Sequence, residues 1–153
     1  RVVLWVAGCS HCCKGCQNPM TWDPDGGLLF DDMAKTELFE QLDKSYISGL
    51  TLSGGDPLHS ANRLDVRKLA QEVKERYPEK TIWMYTGYSW DQIYHYPVMQ
   101  YVDVLVDGEF ILEQKDNSLL WKGSKNQKVI DVKKTLQQTD QLIPVLYCPD
   151  YAK

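Results

Sequence analysis

The fold is decided by residues 49–86, GLTLSGGDPLHSANRLDVRKLAQEVKERYPEKTIWMYT, which predict a strand, a helix and a second strand. The first strand, Gly49 to Ser53, stops at a glycine pair, and the last, Lys80 to Thr86, is rich in β-forming residues. Between them, Pro78 ends a helical pattern of apolar residues. These residues are Val66, Leu69, Ala70, Val73 and Tyr77. Since a helix is the usual crossover between parallel strands, the stretch predicts a parallel βαβ unit.

Before this unit, the chain predicts another strand and another helix. Arg1 to Ala7 is a β-rich run that ends at a glycine. After a cysteine-rich loop, Asp31 or Asp32 is placed to cap a helix. One face of that helix is apolar and is expected to be buried, namely Leu38, Phe39, Leu42 and Tyr46.

After the unit, the alternation of strands and helices continues. Ser89 and Gln92 form a capping-box pattern that predicts a short helix. Further strands are predicted at Val102 to Val106 and at Lys128 to Val132. The long connection from Glu109 to Gln127 is a candidate lid or binding loop. No repeat or linker interrupts this order, so residues 1–153 are interpreted as a single α/β domain.

Chain length limits the architecture of this domain. A closed eightfold β/α barrel typically takes about 250 residues, and this chain has 153. We therefore expect an open partial (β/α) barrel of about five or six parallel strands. Glycine and polar clusters follow the predicted strands, so we expect them to line the rim at the carboxyl ends, where such proteins bind ligands.

Composition excludes some classes of function. The chain has 17 Lys and Arg residues against 21 Asp and Glu residues, so no broad cationic surface favours nucleic acid. No apolar run approaches the roughly 18 residues of a membrane span. Clustered cysteines favour a metal site in a reducing cytoplasm over a disulfide framework. Because the chain begins with Arg1 directly on a strand, we expect further residues upstream in the full protein.

The cysteines indicate a metal site. All but the last lie within eight positions, and the set is Cys9, Cys12, Cys13, Cys16 and Cys148. Thiolates spaced two or three residues apart on a loop turn toward one point, and they suit an iron–sulfur cluster or zinc. Both Cys9-x3-Cys13-x2-Cys16 and Cys9-x2-Cys12-x3-Cys16 are compact enough, and spacing alone leaves the choice open.

Two other interpretations of the loop follow from the residues alone. A structural zinc site would need a fourth ligand, for which His11 and Cys148 are the candidates. A redox dithiol at Cys9-Ser10-His11-Cys12 is the other interpretation, although isolated pairs of this spacing are common.

The cysteine loop resembles that of the radical S-adenosylmethionine (SAM) superfamily, and the wider pattern resembles one family within it. Five runs occur in the order and at the separations of the anaerobic (class III) ribonucleotide reductase activating enzymes. They are GCSHCCKGCQNPMTW (8–22), LSGGDPLH (52–59), WMYTGY (83–88), VLVDGEF (104–110) and LLWKGSKNQ (119–127). The runs extend across most of the chain, and together they favour a cluster over zinc.

The resemblance implies roles for individual residues. Cys9, Cys13 and Cys16 would each bind one iron of a [4Fe-4S] cluster, and Cys12 occupies a variable position. The fourth iron would be left for the amine and carboxylate of SAM. An open coordination position of this kind distinguishes a reactive metal site from a structural one.

A second set of residues would bind SAM by the same resemblance. It consists of Gly54, Gly55, Asp56, Thr86, Gly87, Tyr88, Ser124, Asn126 and Gln127. The glycine pair would let the backbone approach the methionine end of SAM, and the Asp56 carboxylate would accept a hydrogen bond from its amine. By itself, Gly-Gly-Asp-Pro is an ordinary turn sequence. The residues from Thr86 onward would contact the adenosine and ribose.

The activity implied is activation of anaerobic ribonucleoside-triphosphate reductase. In this family a reduced cluster cleaves SAM, and the 5′-deoxyadenosyl radical abstracts hydrogen from a reductase glycine to form a glycyl radical. The implied partners are the reductase and an external one-electron donor such as a flavodoxin, with no nucleic acid and no membrane. An oxidoreductase of this type needs no acid–base pair, so no catalytic residue is predicted beyond the cluster and SAM. An open barrel would admit a loop of the protein substrate.

Two alternative functions follow from the same residues. The first is a small-molecule radical SAM enzyme similar to carboxydeazaguanine synthase. The second is a non-enzymatic, zinc-binding interaction module. Four side chains near the motifs are expected to be structural, with Trp83 and Tyr85 in the core and no chemistry required of His11 and His59.

Overall fold

A five-stranded sheet runs through the structure, a computed structural model that describes residues 1–149. The strands lie side by side in chain order and are β1 (Val2–Val6), β2 (Gly49–Gly54), β3 (Thr81–Tyr85), β4 (Val104–Asp107) and β5 (Lys128–Asp131). Neighbours from β1 to β4 are parallel. Because β1 and β5 lie at opposite edges, the sheet is open, as the chain length predicts.

The last strand corrects the prediction of an all-parallel sheet. β5 runs antiparallel to β4, with Leu105 opposite Ile130. Residues 108–127, which join these strands, contain only one short 3-10 turn at Leu112–Gln114 and no crossover helix. A chain that returns without crossing the sheet places its next strand antiparallel. The structure is therefore α/β, with four parallel strands and one antiparallel strand.

Helices follow the strands where the sequence predicts them. They are α1 (Asp32–Leu42), α2 (Arg63–Arg76), α3 (Trp90–Ile93) and α4 (Val132–Leu136). Asp31 caps α1 by accepting a hydrogen bond from the Ala34 amide at 2.9 Å. The capping box predicted for α3 is present between Ser89 and Gln92. Two further 3-10 turns lie at Pro19–Thr21 and Pro97–Gln100.

Alternate residues of the strands divide the sheet into two different faces. On one face, Leu50, Leu52, Ile82 and Met84 are fully buried. The helix residues that join them in the core are Leu38, Phe39, Leu42, Val66, Leu69, Ala70, Val73 and Tyr77. The predicted helix faces are confirmed except at Tyr46, which is 76% exposed because α1 ends at Leu42.

The other face of the sheet carries no helix, and this corrects a second expectation. Trp83 and Tyr85 are half-buried on this face, whereas Met84 between them is in the core. Trp83 packs edge-on against Trp121 and Tyr147, with ring centroids 5.5 and 5.2 Å apart. The alternation along β3 is as predicted, but the helices cover the face that bears Met84.

An ion cluster at Asp103 joins the amino ends of the sheet, opposite the rim. Its carboxylate accepts from the Ile82 amide at 2.7 Å and pairs with Lys74 at 2.6 Å and Lys133 at 2.8 Å. Burial raises the pKa of Asp103, but hydrogen bonds from Lys133, Lys74 and the Ile82 amide outweigh it and leave that pKa below 3.8.

We expect Asp103→Asn to lower the free energy of unfolding by about 2 kcal/mol at neutral pH. Because the folded-state pKa of Asp103 is lowered, its contribution is present above pH 3.8 and is lost as pH falls through the folded-state value. Urea titrations at about pH 7 and about pH 3 measure this difference, with exposed Asp25→Asn as the control. If wild type and Asp103→Asn differed in stability by the same amount at both pH values, the charge of Asp103 would make no contribution.

Candidate metal centre and adjoining cavity

A cavity of about 700 Å³ opens on the sheet face that the helices leave uncovered. The strand residues in its wall are Val3, Trp5, Thr51, Ser53, Gly54 and Tyr85. The remaining wall comes from Arg1, from the loops after β1, β2 and β3, and from the connection between β4 and β5. The cavity thus includes part of the predicted rim and also extends along the sheet face as far as Arg1. The volume lies within the range of about 300–1,000 Å³ that is typical of small-molecule sites.

The cysteine loop after β1, residues 8–22 and called the thiol loop, is closed at its base by backbone hydrogen bonds. The Gly8 amide donates to the Thr21 carbonyl at 2.7 Å, and the Cys9 amide donates to the Trp22 carbonyl at 3.0 Å. Gly8 has a φ of +115°, which favours glycine at this turn. The 3-10 turn Pro19–Thr21 directly precedes the closing residue Trp22. Local geometry thus brings both ends of the loop together beside the cavity.

The four clustered thiols differ in their surroundings. Cys9, Cys13 and Cys16 line the cavity and are half-buried. Cys12 is exposed, is not part of the cavity wall, and has a φ of +50°. Of the two triplets that spacing allows, the one with Cys13 faces the cavity.

The cavity-facing thiols are partly removed from water. Burial raises the pKa of the Cys9 thiol, and this effect is larger than the opposite effect of a hydrogen bond from the His11 backbone. Burial likewise raises the pKa of the Cys13 thiol. Metal binding by these thiols therefore requires deprotonation and releases protons.

Within residues 1–149, no three His, Cys, Asp or Glu side chains are gathered around a point that suits a single metal ion. A [4Fe-4S] cluster does not need such a point, because each thiolate binds a different iron. Trp22 also lines the cavity, and its buried indole Nε1 has no hydrogen-bond partner in the described residues. Cluster sulfide or a thiolate would be a suitable acceptor for that N–H.

The glycine pair at the end of β2, Gly54 and Gly55, lies tightly against the end of β1. The Gly55 amide donates to the Val6 carbonyl at 2.7 Å, and the Asp56 amide donates to the Gly8 carbonyl at 2.7 Å. A Cβ at Gly55 would lie 2.6 Å from the Gly8 carbonyl oxygen. Gly54 and Gly55 both line the cavity, and the absence of side chains lets a ligand come close to their backbone.

The Asp56 side chain is 1% exposed and is bonded within the protein. Its Oδ1 accepts from the Leu58 amide and the Thr86 hydroxyl, both at 2.9 Å. Its Oδ2 accepts from the Gly87 amide at 2.9 Å and lies 2.7 Å from His11 Nε2. Asp56 does not line the cavity. That its carboxylate accepts a hydrogen bond from the SAM amine stays a prediction.

The loop after β3 contributes Thr86 and Gly87 to the cavity wall. Tyr88 is not part of the wall, and its ring packs edge-on against His11 with centroids 4.6 Å apart. The Tyr88 carbonyl accepts from the Gly108 amide at 2.9 Å, which connects this loop to the end of β4. Tyr88 thus supports the rim from behind.

His11, predicted from the sequence only as a possible zinc ligand or as a structural residue, lines the cavity and contacts two carboxylates. Its Nε2 lies 2.7 Å from Asp56 Oδ2 and its Nδ1 lies 3.1 Å from Glu109 Oε1. The Asp56 hydrogen bond raises the pKa of His11, burial opposes this, and the charges of Asp56 and Glu109 add to it. Because ionised carboxylates only accept, both bonds together need the doubly protonated ring. Its place between two ligand candidates was the only signal in the sequence.

Ser124, Asn126 and Gln127, the last of the residues predicted to bind SAM, form hydrogen bonds that hold the connection between β4 and β5 in place. Ser124 is fully buried, accepts from the Ile111 amide at 3.2 Å and donates to Asn126 at 2.6 Å. The side-chain Nδ2 of Asn126 donates to the Glu109 carbonyl at 2.8 Å. Of the predicted residues Ser124, Asn126 and Gln127, only Gln127 lines the cavity. Its Oε1 accepts from the Gly123 amide at 2.8 Å.

Several cavity residues lie outside the predicted set. Aromatic side chains of the wall are Trp5, Trp22, Tyr85, Phe110 and Trp121. Trp121 has a φ of +64°, a conformation that a bulky residue adopts only when its surroundings hold it there. The Trp121 ring packs against Trp83 and Tyr147. Alternation along the strands predicts which of these side chains share a face of the sheet, but it does not predict on which face a cavity forms.

No helix in residues 1–149 has the length and apolar character needed to cross a membrane.

Residues 1–130 match the family described as a 4Fe-4S single cluster domain. The open α/β sheet with its cavity-facing thiols is thus an iron–sulfur domain, which favours the cluster interpretation over zinc. The chain belongs to the family of anaerobic ribonucleoside-triphosphate reductase-activating proteins, and the predicted resemblance is confirmed.

Three relatives illustrate the extent of this similarity, and each is named anaerobic ribonucleoside-triphosphate reductase-activating protein. The relative from Enterobacteria phage T4 is 46% identical over 129 residues, which cover 84% of this chain and 82% of the relative. The relative from Haemophilus influenzae is 46% identical over 131 residues, which cover 83% of this chain and 84% of the relative. The relative from Escherichia coli is 41% identical over 133 residues, which cover 84% of this chain and 86% of the relative. No solved structure matches the chain.

Proposed function

We propose that this chain activates an anaerobic ribonucleoside-triphosphate reductase as a radical SAM enzyme. The observation that carries the proposal is that Cys9, Cys13 and Cys16 line one cavity together with Gly54–Gly55 and Thr86–Gly87. The family relationship supports the same function, since the curated relatives are named for activation of this reductase. The fold is proposed to be a partial barrel of radical SAM type.

The thiols fit a [4Fe-4S] cluster with one iron open to a ligand. Cys9, Cys13 and Cys16 supply soft sulfur ligands from one loop, and Cys12 faces solvent. Three ligands leave a fourth iron without a protein side chain, as the chemistry of a reactive metal site requires. Trp22 offers a buried N–H donor with no other partner in the described residues.

The remaining wall fits SAM. Backbone groups of Gly54 and Gly55 would hold the methionine end beside the thiol loop, because glycine permits close approach. Thr86, Gly87 and Gln127 would line the adenosine part of the site. Asp56, Tyr88, Ser124 and Asn126 would act from behind the wall by fixing the loops on which these groups lie.

When bound, the cluster and SAM supply reductive carbon–sulfur cleavage and a 5′-deoxyadenosyl radical that takes a hydrogen atom from a reductase glycine. The chain would hold and orient both groups in this cavity. The sheet leaves β1 and β5 unjoined, so the cavity has an open side. A loop of the reductase would enter there with its glycine.

The partner and compartment belong to the same proposal. A flavodoxin-like protein would deliver the electron to the cluster from outside. The thiols of Cys9, Cys12, Cys13, Cys16 and Cys148 are all free. Free thiols fit a reducing cytoplasm.

Anaerobic reconstitution tests this proposal. We expect about four irons per chain and, with SAM and dithionite, formation of deoxyadenosine. With the cognate reductase, electron paramagnetic resonance should record a glycine-centred doublet on the reductase. Binding of about one zinc and no iron would contradict the proposal, as would SAM cleavage coupled only to a small molecule.

A further inference from the structure

We infer that His11 is a positioning residue for SAM and acts by joining three of the loops around the cavity. Its ring connects the thiol loop to Asp56 after β2 and to Glu109 after β4. His11 thereby holds the Gly54–Gly55 backbone at a fixed place relative to the thiols. The inference rests on the proposed function, since it concerns the same cofactor site.

The contact between His11 and Asp56 is buried. The side chains are 9% and 1% exposed, and Nε2 lies 2.7 Å from Oδ2. Glu109, at 3.1 Å from Nδ1, is 58% exposed. A hydrogen bond removed from water is stronger than an exposed one. The link to Asp56 is therefore the main one, and Glu109 supports it from the surface.

Gly87 and Tyr88 pack closely against the imidazole ring of His11. A Cβ at Gly87 would come within 2.4 Å of the ring carbon Cδ2, so the ring fills the space that any other residue at 87 would occupy. The Tyr88 ring also packs edge-on against the imidazole ring, with centroids 4.6 Å apart. Packing of the His11 ring against Gly87 and Tyr88 therefore sets the distance between the thiol loop and the loop after β3.

The contacts of Asp56 explain how His11 would act on SAM. A carboxylate has about four lone-pair sites, and donors at Leu58, Thr86, Gly87 and His11 occupy them. The SAM amine would bind Asp56 directly only by displacing one of these donors. The structure assigns Asp56 an indirect role, in which it anchors loop backbone and His11 completes the anchor.

The two roles for Asp56 predict opposite effects when His11 is removed. If Asp56 anchors the loops, loss of the ring loosens the cavity wall and weakens SAM binding. If Asp56 accepts the SAM amine directly, loss of the ring frees an acceptor and leaves binding unchanged or tighter. The direction of the change therefore distinguishes the roles without any assumption about its size.

The experiment compares reconstituted wild type, His11→Ala and His11→Gln. Each protein is reduced with dithionite and titrated with SAM while the electron paramagnetic resonance spectrum of the cluster is recorded. We expect similar iron contents and an about tenfold higher SAM concentration for the half-maximal spectral change in His11→Ala. His11→Gln should lie within about threefold of wild type, because its amide N–H can still donate to Asp56.

His95→Ala is the matched control, since His95 is exposed and lies outside the cavity wall. An unchanged or lower half-maximal SAM concentration in His11→Ala would overturn the inference, as would equal values for the Ala and Gln variants. No spectral response to SAM in wild type would instead overturn the proposed function, and this inference with it.

A second pair of variants keeps the inference testable if His11→Ala takes up no cluster. Glu109→Ala removes the exposed partner of the ring, and Glu113→Ala is an exposed control in the same connection. We expect the half-maximal SAM concentration to rise about threefold in Glu109→Ala alone. Equal values in these two variants would then overturn the inference.

Discussion

Cys9→Ser, Cys13→Ser and Cys16→Ser are each expected to reduce bound iron from about four atoms per chain to near none. Serine replaces a soft thiolate with a hydroxyl, which binds iron poorly and does not deprotonate near neutral pH. All three thiols line the cavity, so no neighbouring cysteine on the same wall replaces them. Iron and sulfide analysis after anaerobic reconstitution measures the loss, and reductase activation should disappear with it.

Cys12→Ser is the matched control for this series. Cys12 lies in the same loop but is exposed and outside the cavity wall. We expect this variant to retain the iron content and visible absorption of wild type. Iron loss equal to that of Cys13→Ser would contradict the ligand assignment and would favour the triplet that contains Cys12.

Gly55→Ala is expected to lower the free energy of unfolding by about 3 kcal/mol and to impair cluster incorporation. The added Cβ would lie 2.6 Å from the Gly8 carbonyl oxygen and 2.7 Å from the Thr21 carbonyl oxygen. Neither oxygen is free to retreat, because each accepts a 2.7 Å backbone hydrogen bond that holds the thiol loop. Thermal or urea unfolding of the metal-free protein, followed by iron analysis after reconstitution, measures both effects.

Gly27→Ala provides the comparison for the cost of an added methyl group. Gly27 is exposed, and its Cβ would meet only the Ala7 Cβ, at 3.1 Å. We expect a change of less than about 1 kcal/mol and a normal iron content. If both alanine variants lost the same stability, the close approach at Gly55 would not be the cause.

Local patterns predicted most of the elements. The apolar spacing of Val66, Leu69, Ala70 and Val73 marked the buried face of α2, and Asp31 marked the start of α1. These signals involve residues within one or two helical turns, so they are present in the sequence itself. The end of α1 was less clear, because Tyr46 continues the apolar spacing beyond Leu42, where the helix ends.

Two features of the sheet depend on contacts between distant residues. The direction of β5 depends on how residues 108–127 return along β4, and its strand pattern is the same in either direction. Likewise, the alternation of Trp83, Met84 and Tyr85 separates two faces without saying which one the helices cover. The packing of α1 and α2 on one face leaves the other face to the cavity.

For the site, the sequence by itself determined the chemistry: the thiol spacing, the glycine pair after β2 and the order of the motifs. Only the tertiary structure decided which thiol faces solvent, which predicted residues line the cavity, and that Asp56 is already hydrogen-bonded within the protein. His11 and Asp56 are distant in the chain and meet only because the loops after β1 and β2 lie side by side on the rim. Ligand types and spacings are local properties, whereas the exposure and partners of a side chain depend on residues that folding brings next to it.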